Sequence, residues 1–139
     1  MNRNKQGFTL VEILIVVIIL GILAAIVVPQ FTEASSDAKL SNLTTNLQSV
    51  RAQLELYRLH HNGAYPPTDV TSALTKKTKS DGTVDATGVY GPYMQQFPAN
   101  PFIDVAADAV KTDGAAGSGW GYTPATGVFI ASSTGHGSL

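Results

Sequence analysis

Residues 7–29 read GFTLVEILIVVIILGILAAIVVP, and this stretch decides the fold. Between Phe8 and Val28 only Thr9 and Glu12 carry strongly polar groups. A helix of these 21 residues rises about 30 Å, the thickness of a bilayer hydrocarbon core. The preceding MNRNKQG supplies Arg3 and Lys5 and no acid. Positive charge ahead of a first apolar helix predicts a cytoplasmic N-terminus, with the remainder of the chain carried across the membrane. The apolar run exceeds the roughly 7–15 residues of a secretory signal, and Ala24-Ala25 leads into more apolar sequence rather than a cleavage site.

Glu12 does not fit a bland membrane anchor. A carboxylate within a span costs on the order of 2.5–3.5 kcal/mol on insertion scales, and is a functional candidate by default. Gly21 and Pro29 interrupt an otherwise smooth helical pattern, one by lowering helix propensity and the other by removing a backbone donor.

Beyond Pro29 the texture changes. Leu40, Leu43, Leu47, Val50, Leu54 and Tyr57 recur at spacings of three and four, tracing one apolar stripe along a helix over 32–62. The stripe lasts under three heptads, so packing within the chain is favoured over a coiled-coil seam. Joined to the apolar run, it predicts a helical rod of about 55 residues, ~80 Å long. Asn62-Gly63 and then Pro66-Pro67 stop it, with Gly63 suited to a left-handed cap.

The remainder, 63–139, holds 11 of the 13 glycines and 6 of the 7 prolines, the mark of a loop-heavy β region. Strands are expected around 120–123 and 128–132, joined by a Pro-Ala-Thr-Gly turn. With few large aliphatics, this head needs the 40–57 stripe as the other half of its core. Adjacent His60 and His61 point to different faces of a helix, and read as surface residues at its end. Tyr57, Tyr65, Tyr90, Tyr93, Trp120 and Tyr122 serve either a groove or the core.

Several function classes fall away. No cysteine is present, which removes disulfide scaffolds, Cys-ligated metals and thiol nucleophiles. Nine Lys and Arg against ten Asp and Glu leave no basic excess for nucleic acid. No Ser/His/Asp or paired-carboxylate set stands at a suggestive spacing, so no catalytic residue is assigned. The mean hydropathy of +0.10 conceals one lipid-compatible segment and one polar segment.

The composite of a short basic leader, Gly7, Phe8, Glu12 and the apolar run to Pro29 resembles the class III signal of type IV pilins and type II secretion pseudopilins. The run Gly63-Ala64-Tyr65-Pro66, followed by Gly91-Pro92-Tyr93 and then Phe97-Pro98-Ala99-Asn100-Pro101, resembles the major, G-type pseudopilin. Together these cover about two thirds of the chain, while 103–119 and the tail Ser132–Leu139 depart from the G-type pattern.

The resemblance implies an α+β, type IV pilin-like ladle: a long N-terminal helix carrying a small antiparallel β head. Residues 1–7 would be a removable leader, 8–28 a membrane and filament-core helix, 29–62 an amphipathic helix, and 63–139 a head packed on 40–57. It further implies cleavage between Gly7 and Phe8 by a prepilin peptidase, with methylation of the new Phe8 amine. Glu12 would then meet the Phe8 amine of a neighbouring subunit, and Gly21–Pro29 would stretch in the filament.

The implied role is that of a structural subunit in a helical homopolymer, not an enzyme. It starts in membrane lipid of the inner membrane and passes to a periplasmic pseudopilus, or to a surface pilus. An assembly platform with its ATPase and minor pseudopilins would be its partners. A non-polymerising, membrane-anchored binding module is the alternative from another class. The resemblance also implies calcium in the 103–119 loop, where Asp104, Asp108 and Asp113 are the available acidic ligands. Calcium takes such hard oxygen donors, although their spacing matches no compact loop motif, and solvated loop acids remain the alternative.

Overall fold

A computed structural model describes residues 7–103, 110–111 and 118–132. Its elements run α1 (Leu10–His60), α2 (Val70–Thr75), β1 (Val110–Lys111), β2 (Trp120–Thr123) and β3 (Val128–Ala131). The chain divides into two compact units, one ending at Ala38 and one beginning at Lys39.

In the first unit every described side chain is exposed, from Phe8 and Leu10 through Val28 to Phe31. α1 is continuous through Gly21 and Pro29. Thr32 Oγ1 donates to the Val28 carbonyl at 3.2 Å, a back-bond of the kind Thr makes within helices. Among the described residues α1 is the one helix long and apolar enough to cross a membrane.

In the second unit the expected stripe is the core. Leu43, Leu47, Val50, Leu54 and Tyr57 are buried, while Leu40 remains 40% exposed, so the stripe begins one turn later than its spacing suggests. Opposite it pack Val70, Ala73 and Leu74 of α2 and Trp120, Tyr122, Phe129 and Ala131 of the sheet. Burying each large side chain contributes roughly 1.5–3 kcal/mol.

α1 ends with Asn62 at φ 54° and Gly63 at φ 84°. The Gly63 N–H reaches the Arg58 carbonyl at 2.9 Å, which is the six-to-one bond of a Schellman cap. The left-handed position expected of Gly63 is thus first taken by Asn62. α2 starts at Asp69, whose Oδ1 accepts from the Ser72 N–H at 3.0 Å. That bond is made to the ionised form and holds the Asp69 carboxyl below the usual range.

β2 and β3 form the expected antiparallel hairpin, pairing Trp120 with Ala131 and Thr123 with Val128. β1 adds in parallel to the other edge of β2, through Val110 and Lys111. The hairpin is tied back to the helix by Arg51, whose Nε donates to the Phe129 carbonyl at 3.0 Å.

The segment resembling the G-type pattern lies across this core, and its hydrogen bonds explain its composition. The Tyr93 and Met94 N–H groups both reach the Leu74 carbonyl, at 2.9 and 3.0 Å. The Pro98 carbonyl accepts from Trp120 Nε1 at 3.1 Å, and the Ala99 carbonyl from Asn46 Nδ2 at 3.1 Å. Asn100 is buried, donating to the Gly119 carbonyl at 2.6 Å and accepting from the Phe102 N–H at 3.0 Å.

Asn100→Ala leaves a carbonyl and an N–H without these partners, so it should lower stability by about 1–3 kcal/mol. A denaturant titration against the unaltered chain checks this. An unchanged midpoint would mean that water replaces the amide at no cost.

The paired histidines correct the surface reading. His61 is only 3% exposed and lies stacked on Tyr57, with ring centroids 3.7 Å apart. Its Nδ1 is 2.8 Å from the Tyr57 carbonyl and its Nε2 is 3.0 Å from Thr78 Oγ1. His60 is half-buried against Tyr90 and meets the Tyr93 hydroxyl through Nδ1 at 3.1 Å. Adjacent helical positions do diverge, but here loop 76–93 closes over the end of the helix and covers both.

Candidate functional site

Of the residues singled out by the apolar stretch, Gly7, Phe8 and Glu12 lie at the start of α1. Gly7 has nothing within 4 Å of where a Cβ would stand, and Phe8 is 84% exposed. The bond between them is therefore open to a protease. Among the described residues no packing requires glycine at position 7.

Thr9 and Glu12 close on each other. The Thr9 N–H and Oγ1 both donate to Glu12 Oε2, at 2.9 and 2.8 Å. In return Thr9 Oγ1 accepts from the Glu12 N–H at 3.2 Å. This is a reciprocal capping box, which satisfies amide donors that the first turn of a helix would otherwise leave orphaned. It also lets a carboxylate sit at the head of an apolar helix, where the partial positive charge of the N-terminus favours it.

Glu12 thus has a partner inside its own chain. The Phe8 nitrogen is an amide here, because Gly7 still precedes it; cleavage would turn it into an amine next to Thr9. Thr9 is the residue of this site that reading the sequence missed. The pattern Thr-x-x-Glu ahead of an apolar run was the signal that could have found it.

Gly21 and Pro29 lie far along α1 and join no cluster with this site. The calcium expectation falls on Asp104, Asp108 and Asp113, which lie outside the described residues. Among the described residues no group of three or more His, Asp or Glu side chains converges as a metal site.

The prokaryotic N-terminal methylation motif matches residues 2–28, and type II secretion system (T2SS) protein G matches residues 30–105. A type II secretion system core protein G of Pseudomonas aeruginosa is 39% identical over 102 residues, covering 73% of this chain and 70% of that one. Its counterpart in Vibrio cholerae is 33% identical over 102 residues, covering 72% and 67%. The type IV major pilin protein PilE1 of Neisseria gonorrhoeae is 32% identical over 98 residues, covering 63% of this chain and 54% of the pilin. No solved structure gives a significant match. With its exposed apolar helix, its α+β type IV pilin-like fold and these relatives, the chain belongs to the type II secretion system protein G family.

Proposed function

We propose that the chain is the major structural subunit of a type II secretion pseudopilus, with no catalytic activity of its own. The observation that carries this reading is the apolar stretch beginning at Phe8, helical from Leu10, exposed along its length in the isolated chain and headed by one carboxylate. Such a surface needs lipid before assembly and the helices of other copies afterwards. Head-to-tail contacts of this heterologous kind build open helical polymers.

In this reading the leader ending at Gly7 is removed by a prepilin peptidase, and Phe8 becomes the methylated N-terminus. The precursor sits in the inner membrane with Arg3 and Lys5 on the cytoplasmic side. An assembly platform with its ATPase then extracts it into the filament, with minor pseudopilins as further partners. α1 is unbroken over 21–29 in the isolated chain, and the proposal places the stretching of Gly21–Pro29 in the assembled filament.

Mass spectrometry of the native N-terminus tests the proposal. A chain beginning at methylated Phe8 is expected; an intact Met1, or cleavage after Ala25, overturns it. The similarity to the gonococcal pilin favours a surface pilus as the second reading. Electron microscopy separates the two: long fibres outside the cell support a pilus, and their absence at native expression supports a short periplasmic structure.

A further inference from the structure

The charged groups divide unevenly along the chain. Between Phe8 and Ala38 stand three acids, Glu12, Glu33 and Asp37, and no Lys, Arg or His, whereas 39–139 holds seven acids against seven Lys and Arg. Most of the described carboxylates have donors of their own. Glu12 accepts from Thr9, Glu55 from the Tyr65 hydroxyl, Asp69 from the Ser72 N–H, Asp81 from the Thr83 N–H and Asp85 from Lys79. Among the described residues Glu33 and Asp37 have no such partner, and both are exposed on α1 just beyond Pro29. Their spacing of four sets them on one helix face, roughly 5–6 Å apart, where like charges repel. No basic residue stands three or four positions from either, and Lys39, two beyond Asp37, takes a different face.

The described cations are sorted in the same way. Arg58 pairs with Glu55, Lys79 with Asp85 at 2.7 Å, and Arg51 donates to the Phe129 carbonyl. Lys39 and Lys111 are single charges, whereas Lys76 and Lys77 stand side by side, exposed and outside any ion pair among the described residues. Their backbone is fastened. The Lys76 N–H reaches the Ser72 carbonyl at 3.0 Å, the Lys77 carbonyl accepts from the Asp85 N–H at 3.0 Å, and Thr78 is bonded in both directions to Tyr90. Two ammonium groups are thus presented from a fixed loop whose own acid, Asp85, is already taken.

A calcium ion takes about six to eight oxygens, more than two carboxylates on an open helix face supply. Anionic lipid headgroups are repelled by them. A second copy of this chain offers two adjacent cations for two adjacent anions, and every copy in a homopolymer carries both halves. We propose, resting on the reading that the chain polymerises, that Glu33 and Asp37 of one copy pair with Lys76 and Lys77 of a neighbouring copy. The contact is heterologous, so it repeats along an open helix. It fixes register and rejects misaligned copies more than it adds affinity.

The test overproduces the full chain in cells that carry its secretion machinery, with filaments sheared, sedimented and imaged. Either reversal, Glu33→Lys with Asp37→Lys or Lys76→Glu with Lys77→Glu, should lower filament yield about tenfold, because like charges then face each other. Combining all four substitutions restores opposite charges and should bring the yield to within about threefold of the unaltered chain. All four side chains are exposed, and Trp120 fluorescence verifies that each variant is folded. A covalent readout is independent of yield, since the chain has no cysteine. Copies with Asp37→Cys coexpressed with copies with Lys77→Cys should give a mixed disulfide dimer in filaments, and none when dispersed in detergent.

Full yield from either reversal, a fourfold variant no better than the reversals, or no mixed dimer in filaments overturns the pairing and leaves polymerisation standing. Filaments lost on chelation yet indifferent to the lysine reversal assign the two carboxylates to a divalent cation, and also overturn it. An unaltered chain that folds and forms no filament removes the polymer reading and the pairing with it.

Discussion

Glu12→Ala is expected to leave the chain inserted in the membrane and to abolish filaments. Insertion should improve, since a carboxylate near the start of an apolar span opposes it by on the order of 2.5–3.5 kcal/mol at the centre and less toward the end. Under the proposed processing, assembly should fail because the carboxylate is the one anion in 8–28 that could answer an ammonium at Phe8. In an apolar filament core, an opposite charge offsets part of the cost of burying either group, whereas one left alone is strongly destabilising.

The capping box complicates this test, because alanine also removes the bonds between Glu12 and Thr9. Two further variants separate cap from charge. Glu12→Gln keeps an oxygen for the Thr9 donors and loses the charge, so filaments should still be absent. Thr9→Ala keeps the charge and loses the hydroxyl of the cap, costing about 0.5–2 kcal/mol of helix stability, and filaments should persist. Membrane fractionation and electron microscopy read both properties in the same cells. Normal filaments from Glu12→Gln would falsify the charge-pairing role and leave Glu12 as a helix cap.

The parts of the fold legible in the sequence were those with a strong period or a strong composition. The apolar run over 8–28, the stripe from Leu43 to Tyr57 and the hairpin around Pro124–Gly127 are each signalled by many residues at once. What escaped depends on few residues or on distant ones. α2 is six residues long and is announced only by Asp69, too little for a periodic pattern to register. β1 is a two-residue strand whose pairing is decided by its partner, Trp120-Gly121.

The burial of His61 depends on Thr78, seventeen positions away, and on the loop that brings it there. That loop is pinned by the Thr78 N–H to the Tyr90 carbonyl and by the reverse bond, at 2.9 and 3.1 Å. Gly88 lies so close that a Cβ would fall 2.5 Å from the Thr78 carbonyl oxygen, a contact that only glycine permits. No local pattern encodes such an approach. At the site the reverse held: Glu12 stood out by its chemistry, whereas its partner Thr9 is an ordinary residue made important by a three-residue spacing.

Leu47→Ala is expected to cost 2–5 kcal/mol, while Leu56→Ala, the same change nine residues further along the same helix, should stay within about 0.5 kcal/mol. Leu47 is 1% exposed in the cluster that joins α1 to α2 and the sheet, whereas Leu56 is 40% exposed. Truncating Leu47 removes transferred apolar surface and leaves a cavity in a close-packed cluster, which can collapse only in part. Truncating Leu56 loses a partial contact, and alanine's higher helix propensity returns some of the loss. Trp120 is the single tryptophan and is fully buried against Phe129, so its fluorescence follows the unfolding of the head in both variants. The comparison is made on the full chain in detergent micelles under denaturant. Equal midpoints for the two variants would mean that the head folds without the helix. A loss confined to Leu47→Ala would show that 63–139 lacks a core of its own and takes half of it from the stripe at 43–57.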